Sequence, residues 1–361
     1  MIVDAVKLNN DYTEPMMVTW DTGKKCNYDC TYCEASRHDN HSAFHTLEEY
    51  LDTFYFIKEY VDIYNRNKSN LADHTNINFT GGEPTLNPHF WELADKIKQN
   101  NSNFRLSLTT NGAWNKKYTE KIKEHFSGVT VSYHAESNNK LKELVIDNIL
   151  ALKDTGIWLG VNVMLHADYF DECVAVYEYL QRNGIKVNPV PIGDGNESKK
   201  GWFVDSSGVF RKTTHDYNQK QIDWFFRETG LIKNTECSSG DEFGRGCCGG
   251  RCIAGLIDGV WQQISSIDTH FKDWYCSVNW YFLHIEQHTG LVYHHQTCQA
   301  KFQGGKGPIG SLSDTQKILD NVSENINKNN IIKCPNTRCG CGMCVPKAKN
   351  IDVFKKLRTS I

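Results

Sequence analysis

Thirteen of the 14 cysteines in this 361-residue chain fall into two groups, Cys26 to Cys33 and Cys237 to Cys344, with Cys173 alone between them. A chain that works in a reducing compartment cannot rely on disulfides, so clustered cysteines point to metal or redox chemistry. Such a compartment is the expectation here. Met1 to Asn10 carries Asp4 and Lys7 and no apolar segment of a secretory signal. No apolar run approaches the roughly 18 residues of a membrane span. The chain is therefore expected to be cytoplasmic and free of membrane. A net charge of −3 offers no basic field for nucleic acid. At 39% apolar residues, with 27 glycines besides, disorder as the main state is excluded.

Between the two cysteine groups the chain alternates short apolar runs with helical patterns. Strands are predicted at Met16–Thr22, Asn76–Thr80, Phe104–Thr110, Val129–His134, Trp158–Leu165 and Ile185–Ile192. A helix over Thr46–Asn65 opens with Thr46 and Glu49 at capping-box spacing. A second starts at Asn87-Pro88, a third spans Tyr118–Phe126, and two more end at Gly156 and Gly184. Six strands separated by helices imply a parallel sheet with right-handed crossovers. Spacing alone leaves an open sheet and a barrel as alternatives; in both, ligands belong at the carboxyl ends of the strands. Gly193 to Asn196 reads as a linker, and Thr213–Ile232 as helical. Beyond it periodicity is weak, except for a hairpin over Phe282–Val292. A stretch so poor in periodic apolar residues is expected to need metal to hold it.

The first cysteine group, Cys26-x3-Cys30-x2-Cys33, follows the first strand directly. Three thiolates on one tight loop can bind three irons of a [4Fe–4S] cube and leave the fourth open. The alternative is a zinc site completed by His38, His41 or His45. Together with Tyr32 before the last cysteine, the triplet resembles the signature of the radical S-adenosylmethionine (SAM) superfamily. Thr80-Gly81-Gly82-Glu83-Pro84-Thr85 at the second strand's end resembles that family's GGE motif, and Thr109-Thr110-Asn111-Gly112 at the third is similar to its members.

The resemblance covers about residues 14–192 and implies an α/β fold, a partial (β/α)6 TIM-type barrel. It implies that the open iron holds SAM, which is cleaved reductively so that a 5′-deoxyadenosyl radical abstracts a substrate hydrogen. Cys26, Cys30 and Cys33 would be the metal ligands. Tyr32, Gly81, Gly82, Glu83, Pro84, Thr110, Asn111, Ser132, Asn162 and Val190 would bind the cofactor, with Gly81, Gly82 and Glu83 at its methionine end, Ser132 and Asn162 at ribose or carboxylate, and Val190 at adenine. His134 is the candidate substrate-contacting catalytic residue.

Cys276, Cys298, Cys334, Cys339, Cys341 and Cys344, with the hairpin among them, resemble the SPASM/twitch extension of this family, which binds auxiliary [4Fe–4S] clusters. The resemblance implies a small cysteine-rich C-terminal iron–sulfur domain over 237–361, after a linker and helical segment over 193–236. One auxiliary cluster held by Cys276, Cys298 and two of the last four cysteines is expected, and a second remains open. Cys237, Cys247, Cys248 and Cys252 could complete that second cluster, supply a catalytic thiol or bind zinc, Cys252 being the one assigned to metal. Cys173 reads as a buried free thiol, and His294-His295 as structural. The expected activity is that of an oxidoreductase that oxidises, cross-links or epimerises a peptide or protein residue, fed by an external donor such as flavodoxin or ferredoxin. A sugar-like or other small-molecule substrate is the alternative, and an iron–sulfur sensor without radical chemistry the alternative class.

Overall fold

The computed structural model describes residues 3–8, 15–33, 36, 38–67, 74–100, 103–192, 202–204, 210–212, 217–229, 253–264, 270–302, 304–336 and 345–358. The expected linker at Gly193–Asn196 and seven cysteines (Cys237, Cys247, Cys248, Cys252, Cys339, Cys341, Cys344) lie outside these described residues. The contacts divide the chain into two compact units. One comprises Trp20–Leu51 and Ile77–Lys233, the other Met1–Thr19, Asp52–Asn76 and Asn234–Ile361. Among the described residues no helix is long and apolar enough to cross a membrane.

After β1 (Val3–Leu8), which belongs to the second unit, strands and helices alternate. They are β2 (Met17–Asp21), α1 (Leu47–Asn65), β3 (Thr75–Thr80), α2 (Phe90–Asn100), β4 (Phe104–Thr110), α3 (Thr119–His125) and β5 (Phe126–His134), then α4 (Asn139–Leu152), β6 (Trp158–Leu165), α5 (Phe170–Arg182) and β7 (Lys186–Pro191). Strands β2 to β7 follow one another in spatial order, and β4 to β7 are parallel in register. The six expected strands are present. Among the described residues the sheet is not closed, and β7 lies at its edge. A short hairpin, β8 (Trp202–Val204) with β9 (Phe210–Lys212), and α6 (Gln219–Thr229) follow.

Alternate residues on the helix-covered face, among them Leu106, Leu108, Val129, Val131, Val161 and Val163, are fully buried. Each such side chain is worth about 1.5–3 kcal/mol in transfer free energy. β5 starts at Phe126, three residues before the expected Val129, and α3 stops there. The reason is packing: Phe126 stacks on Phe90 at 5.9 Å and meets Phe79 at 6.2 Å. The capping box is reciprocal, with Thr46 N donating to Glu49 Oε2 at 2.7 Å and Glu49 N to Thr46 Oγ1 at 3.2 Å. α2 begins at Phe90 rather than at Pro88, because the chain first makes a tight turn over Pro84–Leu86, whose C-cap is Asn87.

The second unit contains β10 (Ile253–Ile257), β11 (Val260–Ile264), β12 (Tyr275–Cys276), α7 (Val278–Tyr281), β13 (Phe282–Glu286), β14 (Leu291–Tyr293), β15 (Gly310–Ser311), α8 (Thr315–Asn327), β16 (Ile332–Lys333), β17 (Lys347–Ala348) and α9 (Ile351–Arg358). β13 and β14 form the expected hairpin. A six-stranded sheet runs β11-β10-β1-β17-β12-β16. β1, from the other end of the chain, brings Val3 and Val6 to one face and Ala5 to the opposite one, where Ala348, Phe354 and Leu357 pack. Ile318, Leu319, Val322 and Ile326 bury the apolar side of α8. The expectation of little apolar core in this region is corrected accordingly.

In this unit Tyr60 Oη and His294 Nδ1 are hydrogen-bonded at 3.0 Å, while His295 packs edge-on against Phe282 at 4.7 Å. The two neighbours occupy different environments, as expected of adjacent residues with opposed side chains. Burial holds the His294 imidazole down to about 3, against about 6.5 when unfolded. The unfolded chain therefore takes up a proton below pH 6.5 that the folded one refuses. Stability contributed by neutral His294 is complete above pH 6.5 and falls by about 1.4 kcal/mol per pH unit below it, until about pH 3. Urea titrations of the wild type and His294→Leu at pH 7 and pH 5 check this: the variant is expected to show the shallower acid dependence, and equal slopes would contradict it.

Candidate functional site

The carboxyl ends of β2, β3 and β4 carry the three sequence motifs, and main-chain bonds tie the first two together. Thr22 N donates to Thr80 O at 2.9 Å, Gly82 N to Gly23 O at 2.7 Å and Glu83 N to Lys25 O at 2.8 Å. Gly81 has φ +120, and a Cβ there would lie 2.5 Å from Asp21 Oδ1. A Cβ on Gly82 would lie 2.3 Å from Lys24 O and 2.4 Å from Lys25 O. Both glycines are thus required by contact with the strand that leads into Cys26, a reason additional to any approach of a ligand.

Glu83 is 3% exposed. Its Oε1 accepts from Thr85 N at 3.1 Å, Thr85 Oγ1 at 2.6 Å and Thr110 Oγ1 at 2.8 Å, and its Oε2 from Asn111 N at 2.7 Å. Burial raises its pKa against these bonds. Asn111 continues the chain of contacts, donating from Nδ2 to Asn27 Oδ1 at 2.6 Å and lying 3.8 Å from Cys26 Sγ. Glu83, Thr110, Asn111 and Cys26 therefore form one connected constellation.

Tyr28 N donates to Cys26 Sγ at 3.4 Å, and Cys33 N to Cys30 O at 3.0 Å, which curls the cysteine loop. Burial pushes the Cys26 thiol up to about 11 and the Cys30 thiol up to about 12. Ligation here must displace protons. The histidines of the zinc alternative face carboxylates: His38 Nε2 lies 3.7 Å from Asp29, His41 Nε2 3.7 Å from Asp39, and His45 Nδ1 3.5 Å from Glu49.

Two side-chain rows cross β5, β6 and β7. Ser132, Asn162 and Asn188 are register partners, and Asn188 Nδ2 donates to Asn162 Oδ1 at 3.3 Å. Two residues nearer the carboxyl ends, His134, Met164 and Val190 form the next row. The sequence-predicted Ser132, Asn162, His134 and Val190 are thus brought together, and Asn188 and Met164 join them. Their period-2 positions on the predicted strands were the available signal. Cys173, fully buried, donates to Met164 O at 3.3 Å, in accord with a free structural thiol.

His134 meets the cysteine loop. Its Nδ1 is hydrogen-bonded to the Tyr32 hydroxyl and lies 3.5 Å from Cys30 Sγ, and the Tyr32 and His134 rings stack at 5.9 Å. Burial pushes its imidazole down to about 4, so it is neutral at pH 7. Beside it stands a clamp that the sequence analysis missed. Glu136 accepts from Thr31 N at 3.1 Å and Thr31 Oγ1 at 2.7 Å, and His166 Nε2 lies 3.3 Å from Glu136 Oε1. His166 Nδ1 accepts from Asp168 N at 3.2 Å, leaving Nε2 to carry the proton towards Glu136. Thr31 lies between Cys30 and Cys33, so Glu136→Ala is expected to loosen the loop. Bonds to a charged acceptor are worth about 1.5–3 kcal/mol each before solvent screening. Iron loss from a loaded chain in air is expected to quicken by about tenfold, about 1.4 kcal/mol, read as bleaching of visible absorbance; an unchanged rate would remove Glu136 from this role.

Residues 20–195 match the radical SAM superfamily. They are a radical SAM domain. A GTP 3′,8-cyclase of Nautilia profundicola is 21% identical over 233 residues, covering 62% of this chain and 69% of its own. A second, from Campylobacter jejuni subsp. doylei, is 24% identical over 208 residues, covering 55% and 57%. An uncharacterized protein of Methanocaldococcus jannaschii is 34% identical over 180 residues, covering 45% and 57%. The chain thus spans 57% to 69% of the length of these relatives. Among solved structures, native anSMEcpe with bound AdoMet and Cp18Cys peptide shares the fold, with TM-score 0.53 at 18% identity over 88% of this chain and 82% of that one.

The radical SAM family implies a [4Fe–4S] cluster and SAM, and the cysteine loop fits the cluster. Three cysteines share one loop, and an N–H already points at Cys26 sulfur, the kind of bond that tunes such clusters. Among the described residues no three His, Cys, Asp or Glu side chains close on a single ion. A cube, which takes one thiolate per iron, does not require that they do.

Proposed function

We propose that this chain is a radical SAM oxidoreductase that abstracts a hydrogen from a peptide or protein residue, so as to oxidise, cross-link or epimerise it. The observation that carries the chemistry is the constellation Glu83–Asn111–Cys26, which links the cysteine loop, the GGEPT turn and the TTNG turn at the strand ends. The substrate class is supported by the shared fold with anSMEcpe, solved with a peptide bound. When bound, cluster and SAM supply a 5′-deoxyadenosyl radical. Cys26, Cys30 and Cys33 would hold the cluster through three thiolates, leaving one iron open to the cofactor. Gly81, Gly82, Glu83, Pro84, Thr110 and Asn111 would shape the methionine end, Ser132 and Asn162 would meet ribose or carboxylate, Val190 would line the adenine, and Tyr32 would orient His134. His134, neutral and able to hold or pass one proton, meets substrate at the edge of the cofactor site.

The second unit is assigned an auxiliary [4Fe–4S] cluster of the SPASM/twitch kind, held by Cys276, Cys298 and two of Cys334, Cys339, Cys341 and Cys344. Cys276, Cys298 and Cys334 are 3%, 2% and 4% exposed. Asn336 joins two of their segments, donating to Cys298 O at 3.4 Å and accepting from Cys334 Sγ at 3.5 Å. In this reading residues 14–192 are the catalytic domain, 193–236 the connection and 237–361 the auxiliary domain. The enzyme works in the cytoplasm with a flavodoxin or ferredoxin as donor. A second reading, a small-molecule substrate, is favoured by the relatives named GTP 3′,8-cyclase.

The test is anaerobic turnover of reconstituted chain with deuterated candidates. Deuterium from a labelled peptide is expected in 5′-deoxyadenosine. Deuterium from a labelled nucleotide instead would install the second reading, and absence of any SAM cleavage would end both. About eight irons per chain are expected, at about four per cube.

A further inference from the structure

Ser132, Asn162 and Asn188 stand side by side on β5, β6 and β7, each half-buried. Their strand neighbours Val131, Val161, Val163 and Val187 are buried on the helix-covered face, so the polar row lies on the opposite one. That face leads to the cysteine loop. Two residues beyond Ser132, His134 Nδ1 comes within 3.5 Å of Cys30 Sγ. Two residues of strand rise about 7 Å, so a ligand of SAM's length seated on the loop reaches the row. Asn188 Nδ2 donates to Asn162 Oδ1 at 3.3 Å, the one hydrogen bond of the Asn162 side chain among the described residues. A primary amide carries an acceptor at one end and donors at the other. The two ends have nearly the same shape, so the end that meets a ligand is decided by what holds the other. Here the acceptor is held, and Asn162 has its Nδ2 hydrogens to offer. A hydroxyl or carboxylate oxygen can take them.

We propose that Asn188 is a positioning residue for the cofactor: it holds the Asn162 amide so that Nδ2 faces an oxygen of SAM, on the ribose or the carboxylate. This rests on the reading above that Asn162 meets that part of the cofactor. Asn188 acts through Asn162 alone. Without it the amide is free to turn over and set its carbonyl against the cofactor oxygen. β7 is the edge strand of its sheet, so a smaller side chain at 188 disturbs no strand beyond it.

The test is SAM binding, by calorimetry, to the full chain loaded anaerobically with iron and sulfide and kept oxidised, so that no cleavage competes. Iron per chain and far-UV circular dichroism are measured alongside. Wild type is compared with Asn188→Ala, Asn188→Val, Asn162→Ala and the double alanine variant. Each single change is expected to weaken binding about threefold to tenfold, the range of one hydrogen bond, with iron unchanged. The double variant should bind no more weakly than Asn162→Ala, because Asn188 then has nothing to hold. Two analogues locate the oxygen: decarboxylated SAM, and SAM without its ribose hydroxyls. The loss caused by Asn188→Ala is expected to vanish on one of them. Additive losses, a loss that persists on both analogues, or wild-type affinity in both Asn188 variants would overturn the positioning role. Loss of iron or of fold in both Asn188 variants would overturn it as well. Wild-type affinity in Asn162→Ala would instead overturn the contact between Asn162 and the cofactor.

Discussion

Replacing Cys26, Cys30 and Cys33 together with alanine is expected to remove about four irons from each loaded chain and to abolish 5′-deoxyadenosine formation. The argument is local. The three sulfurs are held on one loop by Tyr28 N, by the Cys33 N–H bond to Cys30 O and by the Glu136 clamp on Thr31. His38, His41 and His45 are turned to Asp29, Asp39 and Glu49 instead. With the thiols gone, no ligand set of comparable softness remains on that loop. Iron analysis and quantification of 5′-deoxyadenosine under reducing, anaerobic conditions check it. Undiminished cleavage in the triple variant would sink the assignment of this loop, and iron remaining elsewhere in the chain would leave that assignment untouched.

Gly82→Val is expected to cost both cofactor binding and cluster content. A Cβ at this position would meet Lys24 O at 2.3 Å and Lys25 O at 2.4 Å, main-chain atoms that cannot swing aside. The added side chain must therefore displace the segment immediately before Cys26 or break the Gly82 N bond to Gly23 O and the Glu83 N bond to Lys25 O. Either change carries Glu83 away from Asn111. Overpacking of this kind costs about 1–3 kcal/mol or more, and here it falls on the geometry of the loop. Iron per chain and SAM affinity, measured separately, decide the matter. Loss of SAM binding with a full complement of iron would mean that the glycine serves only the ligand.

What could be read from the sequence divides along lines of locality. β4 and β6 have the predicted bounds because alternation over seven or eight residues reports directly which side chains face the helices. The Thr46–Glu49 box was legible for the same reason: both partners lie within one turn. The three motifs were legible as residue types, yet their mutual bonds were not, since Glu83 reaches Asn111 and Asn111 reaches Asn27 only after the strands align. Glu136 and His166 carried no signal at all. The bond from Thr31 to Glu136 spans 105 residues, and nothing about a glutamate after a strand reveals its partner. Asn188 is a different case. Its place two positions before Val190 on the last strand matches Ser132 before His134 and Asn162 before Met164, so the row was available to alternation. In the second unit the apolar partners of the cysteine-rich segments come from β1, and a windowed search for periodicity cannot see a core assembled from opposite ends of a chain.

That placement of β1 has a consequence for how the molecule is made. Val3 pairs with Ile257 and Val6 with Lys347, so β1 is synthesised long before either of its partners. Closing so long a loop costs entropy that only the finished sheet returns. Until then Val3, Ala5 and Val6 form an unpaired apolar edge, the kind of segment that invites association with other chains. Synthesis order therefore sets a sequence of events: the parallel strands β4 to β7 are made before β10, β12 and β17, and the six-stranded sheet closes only once β17 has emerged. Iron delivery to Cys276, Cys298 and Cys334, if they are loaded as proposed, must then wait for β17 by topology alone.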